Sequence, residues 1–331
     1  MAEIRSVYGV KHKNEDIRAA SRSGGIFTAV SDVVLAKGGA VYGCALTEDF
    51  YAVHKRADTA EQRDAFRGSK YIQSSMGNIY PQVEKDLNEG RNVLFSGTPC
   101  QVHALINYLS LKKTDTANLI TIDILCHGVP SPTVWIDYLN ANFDKDKIEK
   151  VDFRDKTNFG WRAHHETITA DGKEHSSRKF TELFYSHLIL RDSCFDCQYK
   201  NTDRISDITI GDFWRIENND KEFDDDKGLS LVMLNTPKGK KYFDACKDEL
   251  IIRKYPLATC IQPAISENYK RPAKKDEFWS EYNGENVITL TERYTKPPEK
   301  TTMQKIKSLI GKCINLCYML VLKIIWKSGL I

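Results

Sequence analysis

Cys194 and Cys197 are separated by Phe195 and Asp196, a spacing that lets one tight turn present both sulfurs to a single metal ion or cluster. Alone, such a pair reads equally well as a dithiol redox couple, half of a zinc site or two incidental cysteines. Two further cysteines shift the balance. Cys100 and Cys126 each follow an apolar run of strand character and precede a helical one, where amide groups and the helix dipole stabilise a thiolate. Four thiolates gathered without a cation would be prohibitive, since burying one bare charge is already costly. A metal centre resolves this, either a four-thiolate zinc site or an iron-sulfur cluster. Zinc sites usually use two closely spaced pairs, so one pair plus two singletons at strand tips fits a cluster better. The other five of the nine cysteines carry no comparable signal. Cys44 falls in a strand, Cys246 in a helix, Cys260 in an uninformative stretch, and Cys313 and Cys317 on a C-terminal helix.

Other side chains invite chemistry with less force. His127, beside Cys126, suits a proton donor or a partner of the metal centre, and equally an ordinary histidine at the start of a helix. Arg154 could meet a carboxylate or phosphate and Trp161 could stack on a ring, with Asp155 between them. A solvated polar loop is the competing reading for all three. Asp212 could orient a cofactor hydroxyl or cap a turn, and Asp224-Asp225-Asp226 reads as a solvated acidic loop.

The elements that must position these residues alternate between strand and helix. Ser21-Arg22-Ser23-Gly24-Gly25 leads into a helical run from Ile26 to Ala36, stopped by Lys37-Gly38-Gly39. Those glycines let backbone N–H groups approach an anionic ligand at the positive end of the helix. Ala40–Leu46 reads as a strand and Asn78–Asn88 as a helix. Strand 92–96 leads through Gly97-Thr98-Pro99-Cys100-Gln101 into a helix reaching Tyr108, and strand Leu119–Leu125 leads through Cys126-His127-Gly128 into a helix over 133–142. Helical 183–190, strands 205–210 and 229–235 and helix 239–250 follow. The fold class expected is α/β, with a mostly parallel or mixed sheet built from strand-loop-helix units and a C-terminal amphipathic helix added. Ligands then sit beyond the carboxyl ends of the strands. If the strands before Cys100 and Cys126 are neighbours, roughly 5 Å apart, their thiols meet on one rim.

Bulk properties agree with a globular chain. The 331 residues are 41% hydrophobic and 28% charged, with a net charge of +3, which offers no global case for nucleic acid. The first 20 residues are polar and read as an arm, and 1–16 contain no apolar run fit for a signal peptide, so a cytoplasmic location is expected. Residues 286–302, with Pro297-Pro298, read as a linker. Over 303–331, at about 100° per residue, Lys305, Lys312, Lys323 and Lys327 share one side of a helix that is otherwise largely apolar. Such a helix suits the inner membrane face, a partner groove or the protein's own core.

Taken in order, these motifs resemble one family. Gly68-Ser69-Lys70-Tyr71-Ile72-Gln73-Ser74, then Phe95-Ser96-Gly97-Thr98-Pro99-Cys100-Gln101, then Cys126-His127-Gly128-Val129-Pro130-Ser131 is similar to the family of coenzyme F420 hydrogenase/dehydrogenase beta subunits. Phe153-Arg154-Asp155-Lys156, Gly160-Trp161, Cys194-Phe195-Asp196-Cys197 and Gly211-Asp212-Phe213-Trp214 continue the likeness, which spans roughly 21–265. The resemblance implies an FAD- and 4Fe-4S-containing oxidoreductase domain over 21–285, divided into segments 21–95 and 96–265. It implies that Cys100, Cys126, Cys194 and Cys197 hold the cluster, and associates Ser23, Gly24, Gly25, Thr28, Gly68, Ser69, Lys70, Tyr71 and Gln73 with the flavin. Many relatives carry a ferredoxin-like module before this domain, whereas the first cysteine here is Cys44. A separate electron-donor protein such as a ferredoxin is therefore expected. Short relatives stand beside polysaccharide-synthesis genes, which points to a small organic or sugar-linked substrate.

Overall fold

Val41 and Leu94 turn to one face of a sheet while Ala40, Tyr42, Val93 and Phe95 turn to the other, all of them fully buried. That two-residue period, apolar on both faces, belongs to strands covered by helices on either side. In the computed structural model, which describes residues 6–296, they sit in an eight-stranded sheet. Its strands are β1 (Ser6–His12), β2 (Ala40–Leu46), β3 (Ala52–Ala57), β4 (Val93–Gly97), β5 (Leu119–Ile124), β9 (Ile208–Asp212), β10 (Ser230–Leu234) and β11 (Leu250–Tyr255). Their spatial order is β11-β1-β10-β9-β5-β4-β2-β3. The four strands β9, β5, β4 and β2 are mutually parallel, and antiparallel pairings extend the sheet on both sides. The sheet is thus mixed with a parallel centre.

Helices Ile26–Leu35 and Pro237–Cys246 cover one face through Val30, Val34 and Phe243. Helices Ile79–Asn88 and Pro99–Lys112 cover the other through Val83, Val102 and Leu105. A second sheet of β6 (Ile148–Asp152), β7 (Glu166–Ala170) and β8 (Lys173–Ser177) is wholly antiparallel. It packs with helices Pro132–Asn142, Lys179–Tyr185 and Lys275–Glu281 around Trp135, Phe153, Phe180 and Phe278. Fully buried Glu166 caps helix Lys179–Tyr185, accepting from the N–H of Phe180 at 3.0 Å and the hydroxyl of Thr181 at 2.7 Å.

Two segments differ from their sequence reading. Residues 1–20 do not form an arm where they are described: Ser6–His12 is β1, paired with both β10 and β11. Its polar residues are hidden by distant partners, Lys11 donating to Asp225 at 2.9 Å and lying 4.6 Å over the Phe223 ring. The linker expected over 286–302 contains helix Val287–Thr295, whose Val287 and Leu290 are buried beside Phe278. Contacts gather the chain up to Tyr294 into one unit, in which β4 runs through position 95 and joins the segments on either side of it. The helix read over 303–331 lies outside the described residues, and among those described no helix is long and apolar enough to cross a membrane.

Candidate functional site

The parallel strands β4 and β5 are adjacent, with Ser96 level with Ile122, so the turns that follow them share one rim. After β4, Thr98 begins helix Pro99–Lys112 with a capping box, its N–H donating to Gln101 Oε1 at 2.9 Å. This fixes Cys100 in the first turn, exposed, with its sulfur 3.1 Å from the Thr98 hydroxyl. Gln101 also donates to the Ser74 hydroxyl at 2.8 Å, which lies 2.9 Å from His54 Nδ1. After β5 the chain passes through Cys126 and His127 to Gly128, whose φ of 141° suits glycine. A Cβ at Gly128 would come within 2.9 Å of Leu190 and 3.4 Å of the Cβ of Cys194. The glycine is what lets the two cysteine-bearing segments close on each other. They are pinned by the Arg191 N–H donating to Val129 O at 3.0 Å and a bridge between Pro130 and Leu190.

The four cysteines influence one another electrically. Burial pushes the Cys126 thiol up to about 12, and Cys100, Cys194 and Cys197 add to the rise. Burial raises Cys194 as well, with Cys197 and Cys100 contributing. Among the described residues no three His, Cys, Asp or Glu side chains are gathered so as to hold one metal ion. Four cysteines that act on one another electrostatically are of the chemical type that holds zinc or an iron-sulfur cluster.

A cavity of about 1020 Å³ opens beside this group, lined by Cys126, His127, Gly128 and Val129 of the β5 turn. Helix Ile26–Leu35 points its N-terminus here: Gly25, Ile26 and Phe27 line the wall, Gly25 has a φ of 93°, and no side chain caps the helix. Six cationic side chains, Arg22, Arg67, Lys70, Arg154, Arg162 and Arg178, line the cavity against one carboxylate, Asp212. Arg67, Arg154, Arg162 and Arg178 are ion-paired with carboxylates, so the free amides together with Arg22 and Lys70 are what suit an anionic occupant.

The comparisons with known proteins bear on this arrangement. The family model for the C terminus of the coenzyme F420 hydrogenase/dehydrogenase beta subunit matches residues 90–258, just over half of the chain. The chain belongs to this family. It is 23% identical over 259 residues to the F subunit of the F(420)H(2) dehydrogenase of Methanosarcina mazei, covering 77% of this chain and 67% of that one. Its fold is similar to a chain of the F420-reducing NiFe hydrogenase complex from Methanosarcina barkeri, with a TM-score of 0.54, 16% identity and 88% of each chain covered. The family is thus one of redox subunits.

In this F420 hydrogenase/dehydrogenase beta-type chain, Ser23, Gly25, Gly68, Ser69, Lys70 and Tyr71 line the cavity. Gly24, Thr28 and Gln73 stand outside its lining. Gly24 is a packing glycine, since a Cβ there would lie 2.0 Å from Val10 O. The Thr28 hydroxyl accepts from Arg67 at 3.1 Å, and Gln73 accepts from Arg191 at 2.9 Å. Of the residues read as catalytic, His127 and Arg154 line the cavity and Asp155 and Trp161 do not. Asp155 caps a short helix, accepting from the Asn158 N–H at 2.9 Å. Trp161 is fully buried, donating to Asp212 at 2.8 Å and stacking at 4.9 Å on Trp214, which does face the cavity. Arg154 donates to the other Asp212 oxygen at 2.6 Å. Burial pushes the Asp212 carboxyl up, but Arg154 and Arg22 outweigh it and hold it below the usual range.

Several residues at or behind the wall escaped sequence reasoning. His187, in the left-handed region with φ 65°, places its Nε2 2.7 Å from that of His127, and Tyr269 lies against both rings at 4.2 and 4.4 Å. Gln262 is buried with its amide donating to Asp212 O at 3.1 Å. None of these follows a motif. Trp214 was within reach, because it closes the run Gly211-Asp212-Phe213-Trp214.

Proposed function

We propose that this chain is an oxidoreductase subunit that joins a 4Fe-4S cluster to FAD and acts on an organic substrate. One observation carries the reading: the Cys126-His127 turn belongs both to the four-cysteine group and to the wall of the large cationic cavity. Cys100, Cys126, Cys194 and Cys197 would hold the cluster, which when bound supplies one-electron transfer. Ser23, Gly25, Gly68, Ser69, Lys70 and Tyr71 would hold the flavin, which supplies hydride exchange.

The chain's own residues do the positioning. The free N–H groups of helix Ile26–Leu35 and Lys70 meet a pyrophosphate. Burial lowers the Lys70 ammonium to about 8, and its Nζ donates only to backbone oxygens, Ala65 O at 3.0 Å and Arg67 O at 2.8 Å. It therefore keeps donor capacity for an anion. Arg154, clamped on Asp212, keeps the Trp214 ring in place with its guanidinium 5.0 Å from the ring centre. His127, at the cavity wall, shares a proton with His187 behind it, their Nε2 atoms 2.7 Å apart. Electrons come from a partner protein, a companion subunit or a ferredoxin.

Anaerobic purification tests the reading. Iron and acid-labile sulfide equivalent to one cluster, with one FAD per chain, is the expected outcome. Stoichiometric zinc with negligible iron would overturn it, and a full cluster with no flavin after reconstitution would leave an electron relay.

A further inference from the structure

Lys200 is a buried cation in an unusual setting. It is 8% exposed, its backbone N–H donates to Cys197 O at 3.4 Å, and its Nζ donates to His127 O at 3.2 Å. The side chain thus reaches from the turn carrying Cys197 to the turn carrying Cys126. Its ammonium also stands 3.4 Å from the centre of the Tyr269 ring. Burial disfavours its charge. A buried ammonium needs compensating negative charge. Here its contacts are with the two turns that carry the proposed ligands Cys126 and Cys197.

We propose that Lys200 is the fixed counter-charge that raises the reduction potential of the cluster, while tying together the two segments that supply its ligands. This rests on the cluster reading above. Reduction adds one electron from the donor protein to the cluster, and no bond forms or breaks. A nearby positive charge in a poorly screened site stabilises the more negative, reduced form more than the oxidised form, so the midpoint rises. Lys200 is a positioning residue here, acting through the cluster.

The experiment uses the full chain, purified anaerobically as wild type, Lys200→Gln, Lys200→Met and Lys200→Arg. Iron and sulfide are measured first, then the cluster midpoint by potentiometric titration followed by electron paramagnetic resonance. Lys200→Gln keeps an N–H donor for His127 O and removes the charge, so its midpoint should become more negative with the iron content unchanged. Lys200→Met, where it retains iron, should shift the same way, and Lys200→Arg should stay near wild type. A fully loaded Lys200→Gln protein with the wild-type midpoint would overturn the proposal. Loss of iron from all three variants would also overturn it, marking Lys200 as a structural tie alone. Wild-type protein without iron would instead defeat the cluster reading, and this inference with it.

Discussion

His54 is buried, with Nε2 donating to Ser96 O at 3.0 Å and Nδ1 accepting from the Ser74 hydroxyl at 2.9 Å. With Nε2 donating and Nδ1 accepting, the ring is neutral. Burial lowers its pKa from 6.5 to about 4. Because the folded value lies below the unfolded one, the unfolded chain takes up the proton first as pH falls. The stability that neutral His54 contributes is complete above pH 6.5 and is lost as the pH falls toward about 4. The urea midpoint should therefore drop over that window, and less steeply in His54→Gln; identical slopes would refute the assignment. Cysteines make a second contrast at this scale. Cys126→Ser should lose iron and sulfide, because the proposed ligand set is then one thiolate short. Cys246→Ser should leave the iron spectrum unchanged, since Cys246 is buried in helix Pro237–Cys246 with its sulfur 3.3 Å from Phe243 O.

At the scale of elements, helix Ile26–Leu35 offers its uncapped N-terminus to the cavity only because Gly25 takes a φ of 93°. Gly25→Val strains that turn and brings a Cβ within 3.0 Å of the Cβ of His12. The strain costs on the order of 1–2 kcal/mol. Gly38→Val is the matched control, with a φ of 67° and nothing within 4 Å of its added Cβ. Flavin content should fall in the Gly25 variant, stay level in the Gly38 variant, and iron should be unchanged in both. Equal flavin content in the two would show that the helix start does not bind the cofactor. Helix Pro99–Lys112 was readable for the same local reasons that position Cys100: Thr98, Pro99 and Gln101 form a start signal within four consecutive residues. Strand β1 was not. Its Lys11 and His12 look solvent-facing until Asp225 and the neighbouring strands enclose them.

For the whole molecule, helix Val287–Thr295 completes the core around the second sheet. Removing it exposes Phe278 and deletes buried Val287 and Leu290. Burying a side chain of that kind stabilises by about 1.5–3 kcal/mol. A chain ended at Tyr282 should thus lose roughly 3–6 kcal/mol in chemical denaturation relative to one ended at Lys296. An equal midpoint for both would show that the helix does not contribute to the core.

The alternation of apolar residues, the glycine and proline stops, and cysteines set just past strand ends act over a few neighbouring positions. The sequence alone therefore determined an α/β fold with its rim cysteines and the family likeness. Boundaries such as Ala40–Leu46 followed directly from that local pattern. Strand order, and with it the meeting of Cys100 and Cys126 on one rim, needed the tertiary structure, since β2, β4, β5 and β9 become neighbours from widely separated parts of the chain. The same holds for Lys200, whose contact with His127 joins positions 73 apart, and for Lys11 and Asp225, 214 apart. A polar side chain is assigned to solvent by its own chemistry. Only a distant partner, brought close when the apolar faces are buried, can place it inside and give it work to do.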